Sequence, residues 1–351
     1  MKIATYIALV ACLTAISGCK SKQVNLPSAS SDTLAVEVDA FESDYKPDTD
    51  YYEPIRQSIN LFWLRLVEDK DVAFVSLSDI YYLSDHPDST AVPDVKEKGY
   101  DAARYFKLEP EYRKRFLSKT GVTEADTVYV YDYTDNHLAL FAVKELDVVA
   151  VVNNYAGTDD WPFSQYEYMI GFEIAKSRLK GFRDYPYAYN VLVYVGSENP
   201  FAQEPLIPIS WSEIAAEEFP SKEISDEYAS CLSNTTVGGA HLYETDSLRY
   251  FLQDYLDSYG GVYLRRLLVV ESKTENIVIE KIFGRGEGTS PAPLNSENED
   301  IYSGVSQWTG KLFKEKPPVV FGFEYISFGC PFISILDTSN EDIYISCDNR
   351  H

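Results

Sequence analysis

Apolar and polar positions between residues 51 and 351 recur in two rhythms. Pro54 opens a segment in which Ile55, Ile59, Phe62, Trp63 and Leu66 share one helical face, which predicts an amphipathic helix packed on a sheet. Val72 to Leu83 reads as a strand. Leu108 to Lys119 returns to helical spacing, with Gly121 supplying the left-handed residue that ends it. A β-rich run follows in Thr127 to Tyr133, His137 to Val143, Val148 to Asn153, Tyr166 to Ala175 and Tyr189 to Gly196. Short connectors between the first three, "TDN" and "KELD", favour an antiparallel meander over βαβ crossovers.

A second block begins near Ser210, where "SWSE" has the form of a capping box opening a helix through Phe219. From Thr245, Leu248, Phe251, Leu252, Tyr255 and Leu256 fall on one side of a second expected helix, which Gly260 and Gly261 end. Val262 to Glu271 and Asn276 to Phe283 read as a hairpin across Ser-Lys-Thr-Glu, and residues 284–300 as a loop rich in glycine, proline and acid. Val319 to Leu336 is apolar enough to suggest a membrane span. Its Glu324, two glycines, Pro331 and many β-branched and aromatic residues favour strands instead. The expected class is α+β, mostly antiparallel sheet with a few packing helices. Two halves, 51–200 and 201–351, form it, either as separate units or as one composite domain.

Charge narrows the partners. With 55 acidic and 31 basic residues the chain carries a formal charge of −24, which argues against nucleic acid and against adhesion to anionic lipid. Apolar content of 45% with 14% aromatic residues specifies a folded protein.

The amino terminus gives an address. Lys2 precedes an apolar run, Ile3 to Ile16, too short for a permanent span, so residues 1–18 read as a signal peptide. Ile16-Ser17-Gly18-Cys19 resembles the lipobox of bacterial lipoproteins. That resemblance implies diacylglycerol on Cys19, cleavage before it and an acylated amino terminus, hence a membrane partner reached through lipid. Residues 19–50, rich in Ser, Asp, Lys and Pro, read as a flexible tether. Lys20 stands at the second position, where known lipoprotein sorting patterns place Asp for retention in the inner membrane, so the resemblance implies the outer membrane of the cell envelope, either face.

Export makes disulfides expected among Cys231, Cys330 and Cys347. The tail reads as a hairpin around Asp337-Thr-Ser-Asn340. With the turn centred between Thr338 and Ser339, Cys330 and Cys347 oppose each other, so a structural bridge between them is expected, with free thiols or a bridge to Cys231 as the alternatives.

No catalytic signature stands. Ser177-Arg-Leu-Lys180 and Lys119-Thr-Gly121 fit fragments of penicillin-binding enzymes, but in reversed order, and Gly121 already has a capping role. His86, His137, His241 and His351 are isolated, acid clusters at residues 44–50 and 337–342 lack calcium-loop spacing, and "GRGEGT" lacks the Lys of a phosphate loop. Neither a cofactor nor a metal is expected. The distinctive feature is 28 tyrosines and four tryptophans, of which Trp161 and Trp308 fall in expected loops and are the candidate ligand platforms. The chain therefore reads as a membrane-anchored envelope lipoprotein binding a protein, a glycan or another envelope component. The alternative is a hydrolase of peptidoglycan or polysaccharide with dispersed carboxylates.

Overall fold

The computed structural model describes residues 59–348, apart from 68–69, 82, 84–89, 183–189, 223, 225 and 296–305. The lipobox, the tether, His86 and His351 lie outside the described residues. In chain order the first half provides β1 (Leu61–Leu66), β2 (Val72–Ser76), α1 (Tyr100–Ala103), β3 (Tyr105–Lys107) and α2 (Pro110–Thr120). It continues with β4 (Thr127–Asp132), β5 (His137–Ala142), β6 (Asp147–Val152), β7 (Tyr168–Ala175) and β8 (Val191–Gly196). The second half begins with β9 (Ile207–Pro208), β10 (Ser212–Ile214), α3 (Asp226–Leu232), β11 (Thr236–Glu244), β12 (Leu248–Leu256) and β13 (Val262–Glu271). It ends with β14 (Ile277–Gly284), β15 (Thr289–Pro291), β16 (Trp308–Gly310), β17 (Val319–Phe321), β18 (Glu324–Ile326), β19 (Phe332–Ile335) and β20 (Ile343–Ser346). The fold is mostly β with antiparallel sheets and few, short helices, so the helical share is smaller than the α+β expectation.

A 13-stranded sheet runs β3-β6-β7-β2-β1-β20-β19-β17-β16-β9, with β8, β4 and β5 branching from β1. Strands of both halves of the chain build it. β1 makes this possible by changing partners along its length. Leu61 pairs with Tyr194 of β8 and runs parallel to Ile345 of β20, whereas Leu64 to Leu66 pair with β2. The helix expected over 55–66 is thus corrected to a strand from Leu61. Its alternation explains why: Phe62 and Leu64 enter one core and Leu61 another, so both faces are apolar and the spacing mimics a helix. β4 repeats the pattern, with Val128 and Val130 in the first core and Tyr129, Tyr131 and Tyr133 in the second. β4 pairs with β5 as the short connector requires, but β6 turns away to β3 and β7, so the three-strand meander is corrected. α2 forms as read: Pro110 occupies its first turn, Phe116 and Leu117 are buried, and Gly121 at φ 71° ends it.

The second sheet, β10-β11-β12-β13-β14, lays Tyr250, Leu252, Leu267, Val269, Ile279 and Phe283 on a third core shared with Val320 of β17 and Phe323. Here two further helix expectations are corrected. "SWSE" gives β10 and a 3-10 turn at Ala216–Glu218, and residues 248–256 form β12. In β12 the helical reading failed because the polar positions are buried and partnered. Gln253 Nε2 donates to the carbonyls of Gly238 and Gly239 at 3.0 and 2.9 Å, and Asp254 accepts from Arg265 Nε at 2.8 Å. The hairpin β13-β14 forms across residues 272–276 as expected. Among the described residues no helix is long and apolar enough to cross a membrane.

The closing hairpin carries the Cys330–Cys347 disulfide, Cα–Cα 5.5 Å. Its register differs by half a step from the sequence reading: Phe332 pairs with Tyr344 and Ile333 with Ile343, centring the turn on Thr338. The Ile345 N–H still bonds Pro331 O at 2.8 Å, so beyond that point β20 gains one residue over its partner. That extra residue brings Cys347 opposite Cys330.

Candidate functional site

Where the two sheets meet, the strand ends leave a cleft of about 220 Å³. One wall is Tyr133, at the end of β4, with Phe321 of β17 edge-on at 5.2 Å. The other is a stack of Phe283 and Phe323 at 4.5 Å, continued by Phe332 of β19 at 6.3 Å from Phe283. Trp63 of β1 stands at the cleft, 36% exposed, on the face its strand turns away from the first core. Asn190, Ser306 and Glu324 add the polar groups.

Local structure holds the walls. Gly322 sits at φ 87°, and a Cβ there would lie 1.7 Å from the Ser306 carbonyl oxygen, so only glycine lets the two backbones touch. Beside it, buried Gln307 donates through Nε2 to the carbonyls of Gly322 and Pro293 at 3.0 and 2.9 Å. Asn295 donates in turn to the carbonyls of Ile209 and Gln307 at 2.7 and 2.9 Å. The disulfide fixes the opposite lip, because Pro331 and Phe332 follow Cys330 and Ile345 precedes Cys347.

Glu324 is the one charged side chain on the described lining. Burial among the aromatics raises its pKa above the ordinary glutamate value, opposed by the Gly284 N–H, which donates to Oε1 at 3.0 Å. Its carboxyl is a hydrogen-bonding group in an apolar wall, able to accept or, once protonated, to donate.

Of the residues singled out from sequence, only the cystines border this cleft. Trp308 is 2% exposed: β16 lies between β9 and β17, and its ring is turned into the second core against Tyr133 at 5.5 Å. Its platform role is corrected to a structural one behind the cleft wall. Trp161 is half-buried, edge-on to Tyr100 at 6.0 Å and to Phe163 at 5.3 Å, on the first core and away from the cleft lining. Trp63 is the tryptophan that sequence reasoning missed; in "LFWLRL" five of six residues are apolar, so the sequence carries no alternation that marks its exposed face.

Two histidines and two acids outside the cleft have structural partners. His241 Nε2 lies 3.6 Å from Asp254, and His137 packs on Phe182 at 4.7 Å. Burial works against the Asp254 charge, but hydrogen bonds from His241 and Arg265 keep its pKa below the ordinary range. Glu280 behaves alike, with Lys222 and Arg266 outweighing burial. Among the described residues no group of His, Cys, Asp and Glu is arranged to hold a metal ion. No family model matches the chain, and neither a curated protein nor a solved structure matches it.

Proposed function

We propose that the chain is a lipid-anchored protein of the bacterial cell envelope whose folded part is a binding module, with the aromatic cleft as its ligand site. The single observation that supports a binding role is the composition of the cleft: six aromatic rings, two neutral polar groups and one carboxyl. Rings of this kind bury area against an aliphatic side chain or the face of a sugar, while Asn190, Ser306 and Glu324 orient it. Size narrows the ligand. At about 220 Å³ the cleft is smaller than the ~300–1,000 Å³ of sites that enclose whole small molecules, so it takes one sugar ring or one large side chain of a bigger partner.

Hydrolysis of a wall polymer is the second reading, and Glu324 favours it, since a carboxyl raised by an apolar setting is suited to donate a proton. Glycoside cleavage needs a second carboxyl some 5–10 Å away, and the described lining supplies none. Binding is therefore preferred.

Two experiments test the proposal. Cys19→Ala is expected to abolish incorporation of labelled palmitate and to release the protein from the membrane fraction; unchanged labelling would refute the anchor. For the cleft, immobilised full-length protein in detergent is exposed to envelope extract. Wild type should retain a defined protein or glycan, and Trp63→Ala at least about tenfold less of it. Equal retention by both, or release of wall fragments that Glu324→Gln abolishes, would overturn the binding reading.

A further inference from the structure

A second concavity opens on the face of the β3-β6-β7-β2-β1 run that is turned away from the first core. Val67, Tyr105 and Val151 on its lining pack in a small apolar cluster with Phe74, Val149 and Met169. About 540 Å³ in volume, the concavity gathers Arg65 from β1, Lys70 from the β1–β2 connection and Arg104 from the end of α1.

In a chain with 55 acidic residues against 31 basic ones, cations should find carboxylates readily. These three have none: among the described residues no Asp or Glu oxygen lies within 4.0 Å of them. Aromatic faces orient them instead. The Arg65 guanidinium lies over Phe74 at 5.7 Å, the Lys70 ammonium over Tyr105 at 5.2 Å, and Arg104 over Tyr100 at 5.6 Å, where Nη1 donates to the Tyr100 hydroxyl at 3.0 Å. Carboxylates on the neighbouring strands are committed elsewhere. Glu173 accepts from the Tyr105 hydroxyl, and Asp147 is paired with Lys107. Burial lowers the Arg65 pKa, with the field of Asp348 opposing it, so its charge is held at a desolvation cost that a bound anion would offset.

From this convergence we infer that the concavity is a binding site for a phosphate group. Among the described lining residues three cations face one carboxylate, Asp101, an excess of positive charge that a phosphomonoester dianion suits. The guanidiniums of Arg65 and Arg104 are planar donors suited to phosphate oxygens, and Lys70 adds a point charge. Asn154 is a neutral donor at the same rim. The phosphate can come from a lipid headgroup or from a soluble phosphorylated compound.

Full-length protein in detergent is titrated calorimetrically with inorganic phosphate, and separately with short-chain phosphatidic acid in the same micelles, at about pH 7.5 where phosphate is dianionic. Saturable binding is expected, weakened about tenfold or more by Lys70→Gln and by Arg104→Gln and unchanged by Lys119→Gln on the distant end of α2. Both tested side chains are on the surface of the concavity, and an unchanged thermal midpoint will show that the variants fold. Tighter binding of phosphatidic acid assigns the site to a lipid headgroup; equal or tighter binding of inorganic phosphate assigns it to a soluble phosphate. No saturable binding of either, or equal weakening in Lys119→Gln, would overturn the inference.

Discussion

Glu324 is where the chemistry of the cleft is concentrated, and its titration can be read out through stability. A carboxyl whose folded pKa is raised binds its proton more tightly in the folded state, so stability falls as pH rises from the ordinary glutamate range through the raised value. Asp254 and Glu280, both lowered, act in the opposite sense and lose their contribution as pH falls. The difference between wild type and Glu324→Gln isolates the single group. Gln keeps an oxygen for the Gly284 N–H and carries no charge, so the variant should gain on wild type as pH rises above ~5, measured as the urea midpoint across pH. A difference that is flat in pH would show that the carboxyl is not buried. At this scale the sequence revealed residues with unusual covalent chemistry and misjudged those whose role depends on exposure. Cys330 and Cys347 were paired by arithmetic along a hairpin. Trp308 and Trp63 were exchanged, one expected in a loop and found in a core, the other expected in a helix and found at a cleft. Exposure follows from which strands flank a residue, and those partners come from far away in the chain.

Elements were legible where a cap or a turn marks the end. α2 carried Pro110 and Gly121 at its ends, and the β13-β14 hairpin carried its turn. β1 and β12 were misread for a common reason. Each carries apolar residues on both faces, so they fall at helical as well as alternating positions, and in β12 the polar Gln253 and Asp254 are satisfied by Gly238, Gly239 and Arg265. The closing hairpin is the element on which one lip of the cleft depends. Its disulfide spans 17 residues, a loop for which cross-linking contributes about 3 kcal/mol. Cys330→Ser with Cys347→Ser is therefore expected to lower unfolding free energy by about that amount in denaturant titration. It should also weaken ligand retention, since Phe332 and Ile345 lose their staple. A double variant as stable as wild type would mean that the β19-β20 pairing alone holds the lip.

Across the whole molecule, β1 and β20, close to the two ends of the described chain, run side by side in one sheet. The halves inferred from sequence meet there and again in the second core, where Tyr129, Tyr131 and Leu192 pack with Phe201, Trp308 and Ile345. Their meeting creates the cleft. Tyr133 and Leu192 come from the first half and Phe283, Phe321 and Phe332 from the second, so no contiguous motif could have announced it. The resemblance of residues 16–19 to a lipobox supports the proposed envelope address, and the cleft supports the proposed task there. The most direct test replaces Trp63 with photoreactive p-benzoylphenylalanine and irradiates living cells. The account predicts one discrete adduct with an envelope component at position 63, and none at Val237, an exposed position on β11 outside the cleft lining. No adduct at 63, or the same adduct at both positions, would contradict it.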